Sequence, residues 1–99
     1  MPVEERAFYT LDRDLRLLDA GPRALAVWGK SRRELIGRRL VDAFPFVQGS
    51  AMEAALTEAL QTLRPVRIRM NSVVLGRSVE VEIYPVHGVV QVSFWPSSE

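Results

Sequence analysis

The sequence has no cysteine. That one absence removes disulfides, thiolate nucleophiles and cysteine-type zinc sites together, and it fits a reducing compartment. Histidine is almost as scarce. His87 is the single example, and it stands beside Gly88 with no Gly-x-Ser-x-Gly context, so it makes no triad. Zinc spacing and a phosphate loop are also lacking. Net charge is small: the formal balance is +1, which leaves no global field to draw nucleic acid or an anionic membrane. No apolar run approaches the ~18–20 residues of a membrane span. The start, Met1 to Phe8, is polar and carries Glu4 and Glu5, unlike a signal peptide. The expectation is a cytoplasmic protein that is not an enzyme and holds no metal.

What is present suits one small folded unit. A chain of 99 residues is a single domain by default. Such a domain buries roughly 60–65% of the surface its unfolded chain exposes, so it folds with little spare stability. Residues 47% hydrophobic and 25% charged are ordinary for a globular domain and unlike disorder. The expected organisation is a flexible tail over 1–5, one domain over 6–95 and a tail over 96–99.

Along the chain, Arg6 to Leu11 and Leu15 to Asp19 suit two strands joined through the polar Asp12-Arg13-Asp14. Pro22 is well placed as a first helical residue, with Asp19 or Gly21 on its N-cap side. The helix runs to Trp28 and Gly29 stops it. Ser31 and Glu34 have the spacing of a capping box, and Gly37 ends that turn. Arg38 to Phe44 gives one more turn, closed by Pro45. Ser50 and Glu53 repeat the box and open the longest helix, to about Leu63. Met52, Ala55, Leu56, Ala59, Leu60 and Leu63 fall on one of its faces.

Pro65 breaks that helix. Val66 to Met70 and Val79 to Ile83 alternate as strands with one buried and one wet face. Val73 to Arg77, with Gly76, is the turn between them. If the two pair antiparallel, Arg67 and Arg69 share the wet face with Glu80 and Glu82. Pro85 ends the strand, His87-Gly88 turns, and Val89 to Trp95 is the last strand. Two strands, a helical excursion and three strands make an α+β domain.

With that order in place the chain resembles the PAS family of sensory domains. The resemblance rests on Leu11 to Leu15, Asp19-Ala20-Gly21-Pro22, Trp28-Gly29, Ser31 to Arg38 (SRRELIGR) and Phe44-Pro45. It covers roughly residues 7–95. It implies a five-stranded antiparallel sheet of order 2-1-5-4-3, with several short helices and one longer helix covering one face. The cavity between sheet and helices binds a small ligand in some members and is packed in others. It also implies signalling through dimer contacts and flanking segments. Two departures stand out. Gly21 replaces a frequent Asn. Pro96-Ser97-Ser98-Glu99 stands where Asp-x-Thr and a helix leading to an effector often follow. The expectation is therefore either a free-standing module or the detached input domain of a histidine kinase or transcription regulator.

Within that resemblance no cofactor is expected. Flavin and cinnamoyl attachment need a cysteine. A haem ligand usually comes from a histidine on the long helix, and Ser50 to Leu63 contains none. Met52 and Met70 read as packing residues and His87 as a solvated turn residue.

The candidate ligand pocket is Leu25, Trp28, Leu35, Ile36, Leu40, Phe44, Met52, Leu56 and Leu60 from the helices. Ile68, Met70, Val81, Ile83, Val92 and Phe94 face them from the sheet, with Val66, Val79 and Val90 completing the inner face. A filled core is the competing reading of the same residues. A ligand there would be small and mainly apolar, since the set contains no charge. The candidate dimer face is Tyr9, Leu11, Gln91, Ser93 and Trp95 on the outer side, and a homodimer is expected. The basic cluster Lys30, Arg32, Arg33, Arg38 and Arg39 is flanked by acids and lacks aromatic platforms, so it reads as solvated surface with no nucleic-acid role. The leading function is a sensory module that binds a small ligand, dimerises, or does both, with a kinase or regulator as partner. The alternatives are a ligand-free interaction scaffold and, more distantly, a small α+β enzyme with an apolar cavity.

Overall fold

The structure, a computed structural model, describes residues 6–72 and 75–97. The expected tail over 1–5, the last two residues of the C-terminal tail, and Val73 and Val74 of the expected turn lie outside the described residues.

Strand β1 (Ala7–Asp12) alternates buried and outward residues. The Asp12 carboxylate then accepts the backbone N–H groups of Asp14, at 2.8 Å, and Arg16, at 2.9 Å. This closes a side-chain-supported loop, with Leu15 in the left-handed region (φ 62°). Strand β2 (Leu17–Ala20) therefore begins at Leu17 rather than Leu15. The edge of the sheet here is tied to the helical segment. Leu17 N–H donates to Arg38 O at 2.8 Å, Gly37 N–H to Leu17 O at 2.7 Å and Leu40 N–H to Leu15 O at 2.8 Å.

Helix α1 (Pro22–Trp28) starts on Pro22 with Gly21 as its N-cap, and Gly29 ends it in the left-handed conformation. Helix α2 (Arg32–Leu35) carries the complete Ser31–Glu34 capping box. Helix α3 (Leu40–Ala43) follows. It ends before Pro45, as expected, and Pro45 also opens a 3-10 turn, Pro45–Val47, where its missing N–H is no loss. Helix α4 (Ala51–Thr62) is capped by Ser50, whose Oγ accepts the N–H of Glu53. The return arm goes one residue further back than a capping box, since the Glu53 carboxylate accepts from Gly49 N–H at 2.8 Å. Leu63 is not part of the buried helix face. It is the C-cap, left-handed at φ 56° and 75% exposed.

Strands β3 (Val66–Ser72), β4 (Arg77–Val86) and β5 (Val89–Pro96) complete a five-stranded antiparallel sheet of order β2-β1-β5-β4-β3. The α+β class and the expected strand order are both present. Arg67 pairs with Glu82 and Arg69 with Glu80, so the expected charge pairs share the outer face.

Two prolines lie inside strands. Beyond Ile83, β4 has no β3 partner, so Pro85 borders an open edge. Pro96 pairs with Val79 and lies past the last β1 pair among the described residues, Ala7–Phe94. Proline is tolerated at such edge positions because no ladder bond is lost on the open side. The ordered chain thus continues past Trp95: Pro96 ends β5, and Ser97 N–H donates to Ser78 O at 3.0 Å.

Register supplies the largest correction. Tyr9 lies opposite Val92 and Leu11 opposite Val90. Directly paired antiparallel residues share a face, so both point inward with the core and not outward with Gln91. Leu11 is fully buried, as are Leu17, Leu35, Leu56, Ile83, Val90 and Val92.

Candidate ligand cavity

The helices cover the inner sheet face incompletely, and a cavity of about 190 Å³ remains. One wall is sheet: Tyr9 from β1, Met70 from β3, Val79 and Val81 from β4, and Phe94 from β5. The other is helical: Val27 and Trp28 from α1, Leu40 from α3, Phe44, Phe46 and Val47 around the 3-10 turn, and Met52 from α4. Gly29 is what lets the chain turn away as soon as Trp28 is placed.

The wall is a linked group of aromatic rings. Trp28 has its centroid 5.1 Å from Tyr9, 5.0 Å from Phe44 and 6.4 Å from Phe94. Phe46 stands 5.9 Å from Phe44, and Tyr9 meets Phe94 edge-on at 6.0 Å. Tilted, edge and offset-stacked contacts at these distances are favourable for ring quadrupoles, so the rings brace one another.

Polar groups are few. Ser50 Oγ donates to Val47 O at 2.6 Å, and Ser72 Oγ accepts from Leu75 N–H at 3.1 Å. Asn71 is the third. Among the described residues no lining side chain is charged. The Tyr9 phenol is different. The residue is 7% exposed, its hydroxyl has no hydrogen-bond partner among the described residues, and burial pushes its pKa up, so it stays a neutral donor.

Of the pocket residues expected from the sequence, Trp28, Leu40, Phe44, Met52, Met70, Val81 and Phe94 are brought to this cavity. Leu35, Leu56, Ile83 and Val92 are fully buried core instead. Leu25, Leu60 and Ile68 pack on the core from its margin. Ile36 departs furthest, as the C-cap of α2 and an exposed residue. Sequence reading missed Tyr9, Val27, Phe46, Val47, Ser50, Asn71 and Ser72. Tyr9 was legible in kind, as an aromatic in a strand, but its face depends on register. Phe46 follows from the 3-10 turn that Pro45 begins.

The outer sheet face also differs from expectation. Gln91 is exposed, but Ser93 is buried and Trp95 is only 4% exposed. Two guanidinium groups lie over the Trp95 ring, Arg6 at 4.2 Å and Arg67 at 5.3 Å from its centroid, an arrangement the ring quadrupole favours. Glu82 holds Arg6 at 3.6 Å and Arg67 at 3.9 Å, while Arg69 donates to Glu80 at 2.7 Å. Apolar groups left open there include Phe8, 49% exposed, and Tyr84, 43% exposed. Phe8 lies opposite Ser93 and Tyr84 opposite Gln91, so both belong to this outer face.

Residues 5–93 match the family model described as the PAS fold. The chain belongs to the PAS family. Solved PAS structures share its fold. The PAS domain of histidine kinase ThkA superposes with a TM-score of 0.77 at 18% identity, covering 92% of this chain and 98% of that one. A sensory box sensor histidine kinase from Vibrio cholerae gives 0.83 at 10% identity, covering 95% and 83%. The PAS domain of nitrogen regulation protein NR(II) from Vibrio parahaemolyticus gives 0.72 at 21% identity, covering 96% and 92%. No curated protein sequence matches this chain. The family is one of sensory and signalling modules, and in this PAS domain the cavity lies between the helices and the inner sheet face. No helix among the described residues is long and apolar enough to cross a membrane, and no cluster of three or more His, Cys, Asp or Glu among them could hold a metal ion.

Proposed function

We propose that this PAS domain is a cytoplasmic sensor. It binds a small molecule between helices and sheet, forms a homodimer through the outer sheet face, and passes the bound state to a kinase or transcription regulator. It performs no catalysis and uses no resident cofactor in this reading. The observation that carries the ligand half is the cavity itself: aromatic and apolar walls around about 190 Å³. Small-molecule sites are typically concave and mostly apolar with a few polar groups. The dimer half rests on Phe8 and Tyr84, exposed together on one sheet face. Exposed apolar groups on one sheet face suit a contact surface.

Native mass spectrometry of the freshly purified chain, with an absorbance scan, tests the first half. A co-purified small mass is the expected result. A bare, colourless chain would instead support the second reading, a ligand-free scaffold, which the mutual packing of Tyr9, Trp28, Phe44 and Phe94 also favours.

A further inference from the structure

We infer that the cavity takes a neutral, single-ring aromatic molecule carrying one hydrogen-bond-accepting oxygen, and that the Tyr9 hydroxyl reads that oxygen. The inference rests on the ligand-sensing reading above and names the class of ligand it takes.

Size sets the first limit. A protein cavity of roughly 150 Å³ lined by apolar side chains holds benzene. This one has about 190 Å³, room for one ring and a substituent of about two or three further heavy atoms. Shape and chemistry set the second. The wall around Trp28 is built from aromatic rings spaced 5.0–6.4 Å apart. A flat ring meets such walls edge-to-face or in an offset stack.

Charge sets the third. Among the described residues no acidic or basic side chain lines the space, so an anion or a cation would be desolvated with nothing to neutralise it. A cation held by ring faces alone fits poorly, because Trp28 already has Tyr9, Phe44 and Phe94 against it. The fourth limit is the polar inventory. Ser50 Oγ commits its proton to Val47 O at 2.6 Å, Ser72 Oγ accepts from Leu75 N–H at 3.1 Å, and Asn71 and Ser72 stand at the more exposed end of β3, whereas Tyr9 is buried among the rings. Tyr9 is a buried residue whose hydroxyl has no partner among the described residues. An unengaged donor on an apolar wall gains a hydrogen bond from a ligand oxygen. This donor separates one small aromatic from another.

The test is isothermal titration of the chain and of Tyr9→Phe with acetophenone, ethylbenzene and benzoate. These probes share a ring and differ in acceptor and charge. Acetophenone and ethylbenzene should bind the unaltered chain, with benzoate at least about tenfold weaker than acetophenone. Tyr9→Phe should weaken acetophenone by about 3- to 10-fold, the range of one neutral hydrogen bond, and leave ethylbenzene within about twofold. Retained ethylbenzene binding also shows that the variant is folded with its cavity intact. A second readout needs no variant: the infrared carbonyl band of acetophenone should move to lower wavenumber on binding. Benzoate binding as tightly as acetophenone would overturn the inference and leave the sensing reading standing. Equal effects of Tyr9→Phe on both neutral probes, or an unmoved carbonyl band, would overturn the role of Tyr9. Failure of all three probes to bind would overturn the ligand class, and the co-purified mass would then decide the sensing reading separately.

Discussion

Ser50 joins two functions in one residue. It caps α4 by accepting Glu53 N–H, and the residue lines the cavity. Ser50→Ala should cost about 1 kcal/mol, the usual worth of a hydroxyl N-cap, measured as a lowered urea midpoint with unchanged m-value. Two exposed carboxylates tie down the neighbouring helical turns. The hydrogen bond from the Arg32 side chain, and then the Ala20 N–H, hold Asp19 below the ordinary carboxylate range. The N–H of Ser31 and then its hydroxyl do the same for Glu34. Their folded-state pKa values are depressed, so the stability they contribute is present above the ordinary carboxylate pKa, near about 4, and is lost as pH falls through the native values. Urea midpoints should fall between pH 5 and pH 3, and Asp19→Asn should flatten that acid limb. The Ser31–Glu34 box was legible residue by residue because a capping box is local chemistry. The side of the sheet occupied by Tyr9 was not, since it depends on pairing with Val92 across the chain.

At the scale of elements, two left-handed positions make opposite predictions. The β4–β5 hairpin turns on His87 (φ 46°) and Gly88 (φ 85°) between the paired Val86 and Val89. Positive φ at both central residues is the tight turn that matches strand twist. A Cβ on Gly88 would also stand 3.3 Å from Arg13 Nε. Gly88→Ala should therefore destabilise by about 1 kcal/mol or more. Leu63 holds the same conformation at the end of α4 with its side chain in solvent. Leu63→Gly relieves the Cβ penalty there, offset in part by chain entropy. It should stabilise by about 0.5–1 kcal/mol, read from thermal denaturation. The sequence pattern placed the helices and strands through glycine, proline and alternation. It mistook Leu63 for a core residue because helical periodicity does not mark where a helix ends. Pro85 and Pro96 were read as strand ends because a proline's open edge depends on its neighbour's length, which only the assembled sheet shows.

For the whole molecule, one face holds a cavity and the opposite face an arginine–glutamate ladder over Trp95. Association through that outer face predicts that Phe8→Glu or Tyr84→Glu lowers the molar mass by light scattering at micromolar protein. A mass unchanged by both variants would exclude the face. Trp95, expected from sequence as an open anchor, lies instead beneath Arg6 and Arg67; its replacement should loosen those side chains rather than remove a contact. Alternation and composition defined a sheet with one wet face, but which aromatic groups stay open is set by the side chains folded over them. The central claim is that small-molecule recognition occurs in the aromatic cavity. Mapping the backbone and indole resonances of the chain during titration with acetophenone tests it most directly. The account predicts shifts centred on Tyr9, Trp28, Phe44, Met52 and Met70, with Phe8 and Tyr84 unmoved. Shifts centred on the outer face, or none at saturating probe, would contradict it.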